Sequence, residues 1–464
     1  MPHAAPVTGA SAFDQFNWQP QPAAQAIVNE LVADVTARCP GAALLAQRLR
    51  AETGTRLVDW ADHLVAPDSG ALRARLLEAG FARRPIGGVS ERYVHDGGMF
   101  PALVLCGRET RRLGVKVEYV SDFAAAWGIQ DPIEGEPLAP LRLMRACAGG
   151  GAELWAVERH GYRGLEVVPP VAPLTTILRH AEAFRRRRRD CGSDAAGIAH
   201  AAELVRAAID DLGVDLACDL FFAAEREYWQ RRNRAARVQK ARQDVLGMGW
   251  ANHDHHTYRS SRAAFADLVG LWELLGLSCR ERFYAGAEAG WGAQVMEQPV
   301  TGIITFNDVD LTPDELMGDF AHQGLRERHD LGTVGLWCAL HGEAVLQAGM
   351  HHLEAQFDWH ALRDQLEAEA GVRTMEPFTT FPFLRQAFTE GERWAVRPER
   401  IEALLKAGRI TPEQAGQFRA AGAIGSHLEN LERNDGFKGF NQKGVSEIIA
   451  RTDPRRQAAQ PVGA

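Results

Sequence analysis

The chain has 464 residues, too many for one ordinary hydrophobic core, so its length predicts two or three domains, or one large domain with insertions. Its hydrophobic content of 46% and charged content of 24% are typical of a soluble globular protein. The formal net charge of −8 gives no electrostatic argument for binding nucleic acid or an anionic membrane. Because the apolar runs are shorter than the roughly 20 residues that span a bilayer, and the first residues lack the features of a signal peptide, we expect a cytoplasmic protein without membrane contact.

The cysteines do not form a recognisable framework. There are seven of them, and none belongs to a CxxC pair. An odd, scattered set fits neither a disulfide scaffold nor a zinc knuckle, so we expect reduced and mostly buried thiols.

The first part of the chain divides into a lead-in and a βαβββ pattern. Residues 1–56 predict a flexible N-terminus followed by helix, because apolar residues recur at helical spacing. From residue 57 an alternating run predicts a strand that contains Asp62-His63. A helix follows Ser69, which can cap its first turn, and this helix stops at Gly80. Three short strand-like runs, separated by glycines, complete the pattern by about residue 120.

The same order recurs in the second half of the chain. Asp254-His255 precedes a capped helix, a glycine and two further strand-like runs. Residues 57–130 and 250–310 therefore predict two βαβββ units that pair into one curved sheet around a small-molecule site. In that arrangement His63 and His255 are equivalent residues on the two first strands.

The remaining segments predict mainly helix. Residues 172–249 predict a helical insertion, within which we interpret the arginine run 185–189 as a solvated helix face, because the chain is acidic and few aromatic residues interleave with it. Residues 311–464 predict a mainly helical C-terminal region. The predicted fold class is thus α+β, with a metal-binding core over residues 57–310 built from paired βαβββ units.

The densest chemistry lies in the stretch Trp250–Arg259, which reads WANHDHHTYR. Alternate residues of a strand share a face, so His253 and His255 lie on one face while Asp254 and His256 lie on the other. An isolated His-x-His is most often a polar strand end with solvated histidines, and the metal-site hypothesis therefore depends on further ligands. Either His253 or His255 can supply the imidazole on its face.

Glu297 is the candidate carboxylate ligand. It interrupts a strand that is otherwise apolar, and burying an unpaired carboxylate costs several kcal/mol, which a bound metal would remove. The alternatives are a salt bridge from Glu297 to an arginine such as Arg282, and for His63 a buried histidine satisfied by Asp62. Two imidazoles and one carboxylate leave about three positions open on an octahedral ion, the arrangement of non-haem Fe(II) oxygenases.

These motifs support a family resemblance. Asp-His63, the His255-x-Thr257-x-Arg259 motif and Glu297 resemble the vicinal oxygen chelate superfamily, and more narrowly the 2-oxoadipate dioxygenase/decarboxylase (hydroxyglutarate synthase) family. The resemblance implies Fe(II) held by His63, His255 and Glu297, and conversion of a 2-oxo acid and dioxygen into a 2-hydroxy acid and CO2. It covers residues 57–130 and 250–310.

One position departs from the family pattern. The family has an arginine four residues after the first histidine, which holds the substrate's carboxylate, and this chain has Pro67 there. We therefore expect 2-oxoadipate to be a poor substrate. Arg259 is the candidate catalytic residue, as a donor to a substrate carboxylate or as a residue that positions a ligand.

Two other classes of function remain open at this point. One is a lyase or isomerase that uses a divalent metal without dioxygen. The other is a small-molecule-binding protein without catalysis, which would carry no stoichiometric metal.

Overall fold

The computed structural model describes residues 18–85, 91–107, 109–286, 289–441 and 453–457. Most of the strands belong to two sheets of seven and nine strands. The strands of the seven-stranded sheet are β1 (Ala61–Pro67), β2 (Ala82–Pro85), β3 (Glu91–Val94), β4 (Ala102–Cys106), β5 (Arg111–Lys116), β6 (Leu141–Gly149) and β7 (Ala152–Arg159).

The nine-stranded sheet is built from the second half of the chain. Its strands are β8 (His253–Arg259), β9 (Ser278–Tyr284), β10 (Trp291–Glu297), β11 (Ile304–Asp310), β12 (His352–Gln356), β13 (Thr379–Phe381), β14 (Leu384–Phe388), β15 (Glu392–Trp394) and β16 (Ala423–Arg433).

Helices precede, connect and cover the sheets. They are α1 (Pro22–Arg38), α2 (Pro40–Arg48), α3 (Gly70–Glu78), α4 (Val120–Trp127), α5 (Leu174–Arg185), α6 (Asp194–Leu212), α7 (Val214–Arg231), α8 (Arg234–Val245), α9 (Phe265–Leu274), α10 (Pro313–Leu316), α11 (Thr333–His341), α12 (Trp359–Ala370), α13 (Pro398–Lys406), α14 (Pro412–Ala421) and α15 (Pro454–Gln457). Local signals fix several ends: Ser69 accepts a hydrogen bond from the amide of Leu72 at 3.1 Å and so caps α3, as its sequence predicts. None of the helices described here is long and apolar enough to cross a membrane.

The seven-stranded sheet consists of two units joined edge to edge. In the first unit the chain order β1-α3-β2-β3-β4 gives the spatial order β2-β3-β4-β1, so the fourth strand returns beside the first. The second unit, β5-α4-β6-β7, has one strand fewer and the order β5-β7-β6. Antiparallel pairing of β1 with β5 joins the two units.

The nine-stranded sheet repeats this plan. Its first unit, β8-α9-β9-β10-β11, has the order β8-β11-β10-β9, and its second, β12-α12-β13-β14-β16, has the order β12-β16-β14-β13. Antiparallel pairing of β8 with β12 joins them, and β15 adds to β16. The predicted α+β class with paired βαβββ units is confirmed.

The βαβββ units pair with different partner units from those that the sequence predicts. The units at 57–130 and 250–310 were expected to pair with each other, whereas each pairs with the unit that follows it in the chain. The region after residue 311 does contain helices, but it also supplies β12 to β16, which complete the second sheet. Short alternating strands such as β12 carry little local signal, because their partners are distant in the chain.

The helical insertion falls where the sequence places it, with α5 to α8 between residues 174 and 245.

The arginine run 185–189 does not form the solvated helix face that the sequence predicts. The side chains of Arg187 and Arg189 are 1% and 8% exposed, and both bind the buried carboxylate of Glu225, at 2.8 and 2.5 Å. The run therefore contributes a buried ion-pair network beneath the second sheet, because alternate members of it turn inward.

Candidate metal centre

His255 lies on β8 and is 2% exposed. Its Nδ1 is 2.8 Å from Oδ1 of Asp254. Asp254 in turn accepts hydrogen bonds from Arg433, at 2.8 and 3.0 Å, and from Gln356 at 2.9 Å. A carboxylate that accepts the Nδ1 proton fixes the tautomer of an imidazole and leaves Nε2 free to bind a cation.

The Nε2 atom of His255 points to a carboxylate on the neighbouring strand. Oε1 of Glu354, on β12, is 2.9 Å from it. The same oxygen is 2.7 Å from Nε2 of His352 and accepts a hydrogen bond from the hydroxyl of Thr257 at 2.8 Å. Two imidazoles and a hydroxyl group thus converge on one carboxylate oxygen.

Glu429 completes the cluster from β16. Strand pairing places it directly opposite Glu354. Its Oε2 is 3.6 Å from Nε2 of His352, and Gln386 donates to its Oε1 at 2.8 Å. Ligand atoms of His255, Glu354 and Glu429 all lie within 4.8 Å of one another, close enough for one metal ion.

The electrostatics of the cluster favour a cation. Burial raises the pKa of Glu429 well above its ordinary value, and the nearby charge of Glu354 raises it further. Burial also acts to raise the pKa of Glu354, but His255 and His352 outweigh it and lower that pKa. Two carboxylates held side by side in the interior repel each other, and a divalent cation between them would remove this cost.

Unpartnered polar atoms support the fit. Oε2 of Glu354 and Nδ1 of His352 are buried and have no hydrogen-bond partner among the described residues. Buried polar atoms are usually satisfied, so the unpartnered oxygen of Glu354, within the cluster, indicates a missing ligand. Imidazole nitrogens with carboxylate oxygens suit Fe(II), Zn(II), Ni(II) or Mn(II).

The cluster opens into a cavity of about 60 Å³ with largely aromatic walls. Its aromatic lining consists of Phe283, Trp291, Phe306, Phe378, Phe388 and Phe440. Phe440 packs against His255 with ring centroids 4.8 Å apart, so the segment that follows β16 covers the cluster.

Arg259 reaches the same cavity from β8. It is 3% exposed, and its Nε lies 3.5 Å from Oδ2 of Asp308. Burial raises the pKa of Asp308 to about 8, although Arg259 acts to lower it. The guanidinium of Arg259 therefore lines the cavity beside the carboxyl group of Asp308, and an anion in the cavity would meet it there.

The other two ligands inferred from the sequence lie apart from His255. Glu297, on β10, forms salt bridges with Arg280 at 3.2 Å and Lys438 at 2.8 Å. In the described parts of the chain it belongs to no metal-binding group with His255 or His63. Glu297 therefore forms a salt bridge with an arginine, which is the alternative to a metal ligand. The arginine is Arg280 and not Arg282, because Arg282 donates to backbone oxygens.

His63 is the counterpart of His255 in the other sheet. Its Nδ1 is 2.7 Å from Asp62, and Arg159 binds Asp62 at 2.6 and 2.8 Å. Strand β1 pairs His63 with Gly114, and β5 pairs Gly114 with Trp155. The first sheet therefore repeats the Asp-His-Arg support of the second sheet without its carboxylate ligands.

His253 and Pro67 also lie outside the cluster. Nδ1 of His253 is 3.0 Å from the carbonyl oxygen of Trp250, and burial lowers the pKa of His253 to about 3. Pro67 ends β1 beside Cys106 in the first sheet. Neither residue lines the aromatic cavity, so the argument from Pro67 about the substrate does not apply to this site.

Sequence reasoning missed Glu354, Glu429 and His352. The available signal was the alternation His352-x-Glu354 and His427-x-Glu429, each of which puts an imidazole and a carboxylate on one face of a strand. The sequence analysis instead predicts a mainly helical region for both segments, which form β12 and β16.

Comparisons with known proteins give structural likenesses at low identity. No family model matches the sequence, and no curated protein matches it. A glyoxalase superfamily protein from Ralstonia eutropha JMP134 has 13% identity and a TM-score of 0.32, over 57% of this chain and 94% of that protein. A mutant of 4-hydroxymandelate synthase from Streptomyces coelicolor has 11% identity and a TM-score of 0.24, over 86% of this chain and 98% of the other. Methylmalonyl-CoA epimerase from Mycobacterium tuberculosis has 14% identity and a TM-score of 0.23, over 39% of this chain and 88% of that one.

Proposed function

We propose that this protein is a non-haem Fe(II)-dependent dioxygenase and decarboxylase that converts a 2-oxo acid and dioxygen into a 2-hydroxy acid, or a related oxidised product, and CO2. The observation that carries the proposal is the convergence of His255, His352, Glu354 and Glu429 in a buried cavity that Arg259 also reaches. Imidazole and carboxylate donors of this kind suit Fe(II), and a guanidinium beside them suits a substrate carboxylate, which supports the proposal.

The metal ligands in this proposal are His255, Glu354 and Glu429, with His352 as an adjacent fourth donor. Three protein ligands on an octahedral ion leave about three positions for a chelating substrate and dioxygen. Fe(II) bound there would supply the electrons that activate dioxygen and the positive charge that holds the oxo acid. His63 and Glu297, the other ligands that the resemblance implies, have different partners in this proposal.

The chain's own residues orient and protect the reactants. Asp254 holds the Nδ1 proton of His255, so that Nε2 faces the metal position. The terminal nitrogens of Arg259 suit a substrate carboxylate, because a guanidinium binds that group through two parallel hydrogen bonds. Phe440 and the other aromatic walls exclude water from the reacting atoms.

The aromatic cavity also favours one substrate class. With Arg259 bound to the carboxylate next to the keto group, a second carboxylate on the substrate would lie against the aromatic walls, and desolvating an unpaired charge is costly. A 2-oxo acid with an aromatic or branched apolar side chain would instead bury apolar surface there, at about 25 cal/mol per Å². We therefore propose an apolar 2-oxo acid as substrate.

The test combines metal analysis with turnover. Protein purified without chelators is analysed for metals, and oxygen uptake and CO2 release are measured with phenylpyruvate, 4-methyl-2-oxopentanoate and 2-oxoadipate. We expect about one iron per chain, equimolar O2 consumption and CO2 release, and the lowest kcat/KM for 2-oxoadipate. Turnover of an oxo acid that persists without dioxygen would instead identify a metal-dependent lyase or isomerase, and metal-free protein that binds without turnover would identify a binding protein.

A further inference from the structure

A second group of metal-ligating side chains lies on the surface, outside the buried cluster. Ligand atoms of Glu273, Cys279 and His322 all lie within 4.8 Å of one another. Glu273 belongs to α9, Cys279 to β9, and His322 to the segment that follows α10. All three residues are exposed, so an ion would reach them directly from solvent.

A β-bulge places Cys279 on the opposite face of the sheet from the buried cavity. On the edge strand β9, Glu281 pairs with Val295 of β10, whereas Cys279 pairs with the next residue, Met296. Paired residues share a face and neighbours along β10 alternate, so Cys279 and Glu281 project to opposite sides. Phe283, two residues after Glu281, lines the aromatic cavity. The sheet therefore separates the thiol of Cys279 from the proposed iron centre.

The segment that carries His322 is fixed against α9 and β9. Phe320 is buried and stacks on Phe265 of α9, with ring centroids 5.8 Å apart. Arg282 of β9 donates to two backbone oxygens at the start of this segment, at 3.0 and 2.8 Å. The three ligands thus belong to elements that already hold one another in place, which reduces the ordering cost of binding an ion.

The imidazole of His322 is oriented in the same way as that of His255. Its Nδ1 is 2.8 Å from Oδ1 of Asp319, and its Nε2 is 2.9 Å from Oε1 of Glu273. A carboxylate that accepts the Nδ1 proton leaves Nε2 for a metal ion, and Asp254 does this for His255. Nε2 of His322 accordingly points at the carboxylate of Glu273.

The charge balance of this surface group favours a cation. In the described ranges, Glu273 and Asp319 form ion pairs with His322 and with no lysine or arginine. Glu297, by contrast, has two cationic partners. One imidazole offsets at most one of the two negative charges, so an added cation would offset the other.

We propose that Glu273, Cys279 and His322 form a second metal site, which binds Zn(II) reversibly and keeps one coordination position open to solvent. Thiolate and imidazole ligands suit Zn(II), which prefers four ligands in a tetrahedral arrangement, and three protein ligands leave the fourth position to water. Asp319 is a positioning residue, because it holds the imidazole through Nδ1.

Binding displaces a proton from the thiol. Desolvation by the surrounding protein, together with the charges of Glu273 and Asp319, raises the pKa of Cys279 to about 11. A thiol that coordinates Zn(II) is deprotonated outright, so the ion takes the place of this proton. Zn(II) held there would join α9, β9 and the segment after α10, and an ion that binds only the folded chain stabilises the fold.

The experiment uses the whole protein, freed of metal with a chelator, and Co(II) as a spectroscopic probe for the Zn(II) site. A thiolate bound to Co(II) gives a sulfur-to-metal charge-transfer absorption, whereas the ligands of the buried centre include no sulfur. The variants are Cys279→Ala and the matched control Cys191→Ala, which removes a partly exposed cysteine outside the group. We expect the absorption in the unchanged protein and in Cys191→Ala, its displacement by Zn(II), and its absence in Cys279→Ala.

The affinity for Zn(II) is measured in a His255→Ala background, by competition with a chromophoric chelator, so that the buried centre does not contribute. Adding Cys279→Ala or His322→Ala should weaken binding at least about tenfold and remove the rise in unfolding temperature that Zn(II) causes. Adding Asp319→Asn should weaken binding about 10- to 100-fold and still give the Co(II) absorption at saturation, as expected of a positioning residue.

The buried centre and the surface site are tested independently. His255→Ala removes a proposed iron ligand and should keep the thiolate absorption, so failure of the proposed oxygenase function leaves this inference standing, and the reverse also holds. No absorption in the unchanged protein, equal absorption in Cys279→Ala and Cys191→Ala, or its loss in His255→Ala would overturn the proposal.

Discussion

Glu354 in the second sheet and Gly114 in the first occupy the same position relative to a histidine. In the second sheet, His352 pairs with Thr257, which lies two residues after His255, and Glu354 lies two residues after His352. In the first sheet, Arg112 pairs with Val65, which lies two residues after His63, and Gly114 lies two residues after Arg112. The second sheet can therefore present a carboxylate to its histidine, whereas the first presents a glycine.

The next strand repeats the contrast. Glu354 pairs with Glu429, and Gly114 pairs with Trp155. Trp155 stacks under Arg112, whose guanidinium carbon is 4.1 Å from the ring centroid. The two sheets thus have equivalent strand positions around their histidines, but in the first sheet Gly114 and Trp155 occupy the positions of the two carboxylates. This equivalence supplies matched controls for the variants below.

The first prediction concerns the ligands. His255→Ala, Glu354→Gln and Glu429→Gln should each lose most of the bound metal and activity, because removing one of three ligands removes most of the chelate affinity. His63→Ala and Glu297→Gln should keep the metal. Metal analysis of each purified variant, with circular dichroism as a check of folding, provides the measurement, and full metal content in His255→Ala or loss in His63→Ala would contradict it.

The second prediction concerns the carboxylate behind the ligand. Asp254→Asn should weaken metal binding about 10- to 100-fold, because the group that orients the imidazole of His255 has changed. Asp62→Asn makes the same change beside His63, and each variant leaves an arginine, partly buried Arg159 or buried Arg433, with less charge compensation. Only Asp254→Asn should alter metal affinity, measured by competition with a chelator. Equal losses in the two variants would mean that the effect is on folding.

The third prediction concerns Arg259. Arg259→Met should lower kcat/KM for 2-oxo acids about 10- to 150-fold, because a charge-assisted hydrogen bond to a substrate carboxylate contributes roughly 1.5–3 kcal/mol. The metal content should remain unchanged. Arg326→Met removes an exposed arginine and serves as the control. A loss of metal in Arg259→Met with unchanged KM would show that Arg259 positions a ligand and does not bind substrate.

The fourth prediction concerns the buried network of Glu225, Arg187 and Arg189. Glu225→Gln should reduce the free energy of unfolding by about 3–5 kcal/mol, because two buried guanidinium groups would lose their counter-charge. Denaturant unfolding at neutral pH measures this loss. Glu413→Gln, an exposed change on α14, should cost almost nothing.

The same network predicts a pH dependence. Burial acts to raise the pKa of Glu225, but Arg187 and Arg189 outweigh it, so the folded pKa lies below the ordinary value. Its contribution to stability is therefore present above the pKa of the unfolded chain and is lost as the pH falls through the folded pKa. Unfolding curves measured from pH 7 down to about pH 3 should show a smaller acid-dependent loss in Glu225→Gln than in the unchanged protein.

The sequence by itself determined the local features of this protein. The capped helix after Ser69, the helical insertion and the placement of His255 on a strand all follow from periodicity and capping within short windows. The repeated Asp-His pattern correctly identified two equivalent units, because each pair begins the first strand of a βαβββ unit.

Only the tertiary structure decided which carboxylates meet His255. That choice depends on the pairing of β8 with β12 and of β12 with β16, strands whose separation in the chain leaves no local trace in the sequence. Glu297 was as plausible a ligand as Glu354 from composition alone. The difference is that folding brings Arg280 and Lys438 to Glu297, whereas it brings a second carboxylate and two imidazoles to Glu354. A carboxylate with cationic partners such as Glu297 is satisfied by ion pairs, whereas Glu354 and Glu429 lie side by side, and a divalent cation between them would offset their repulsion.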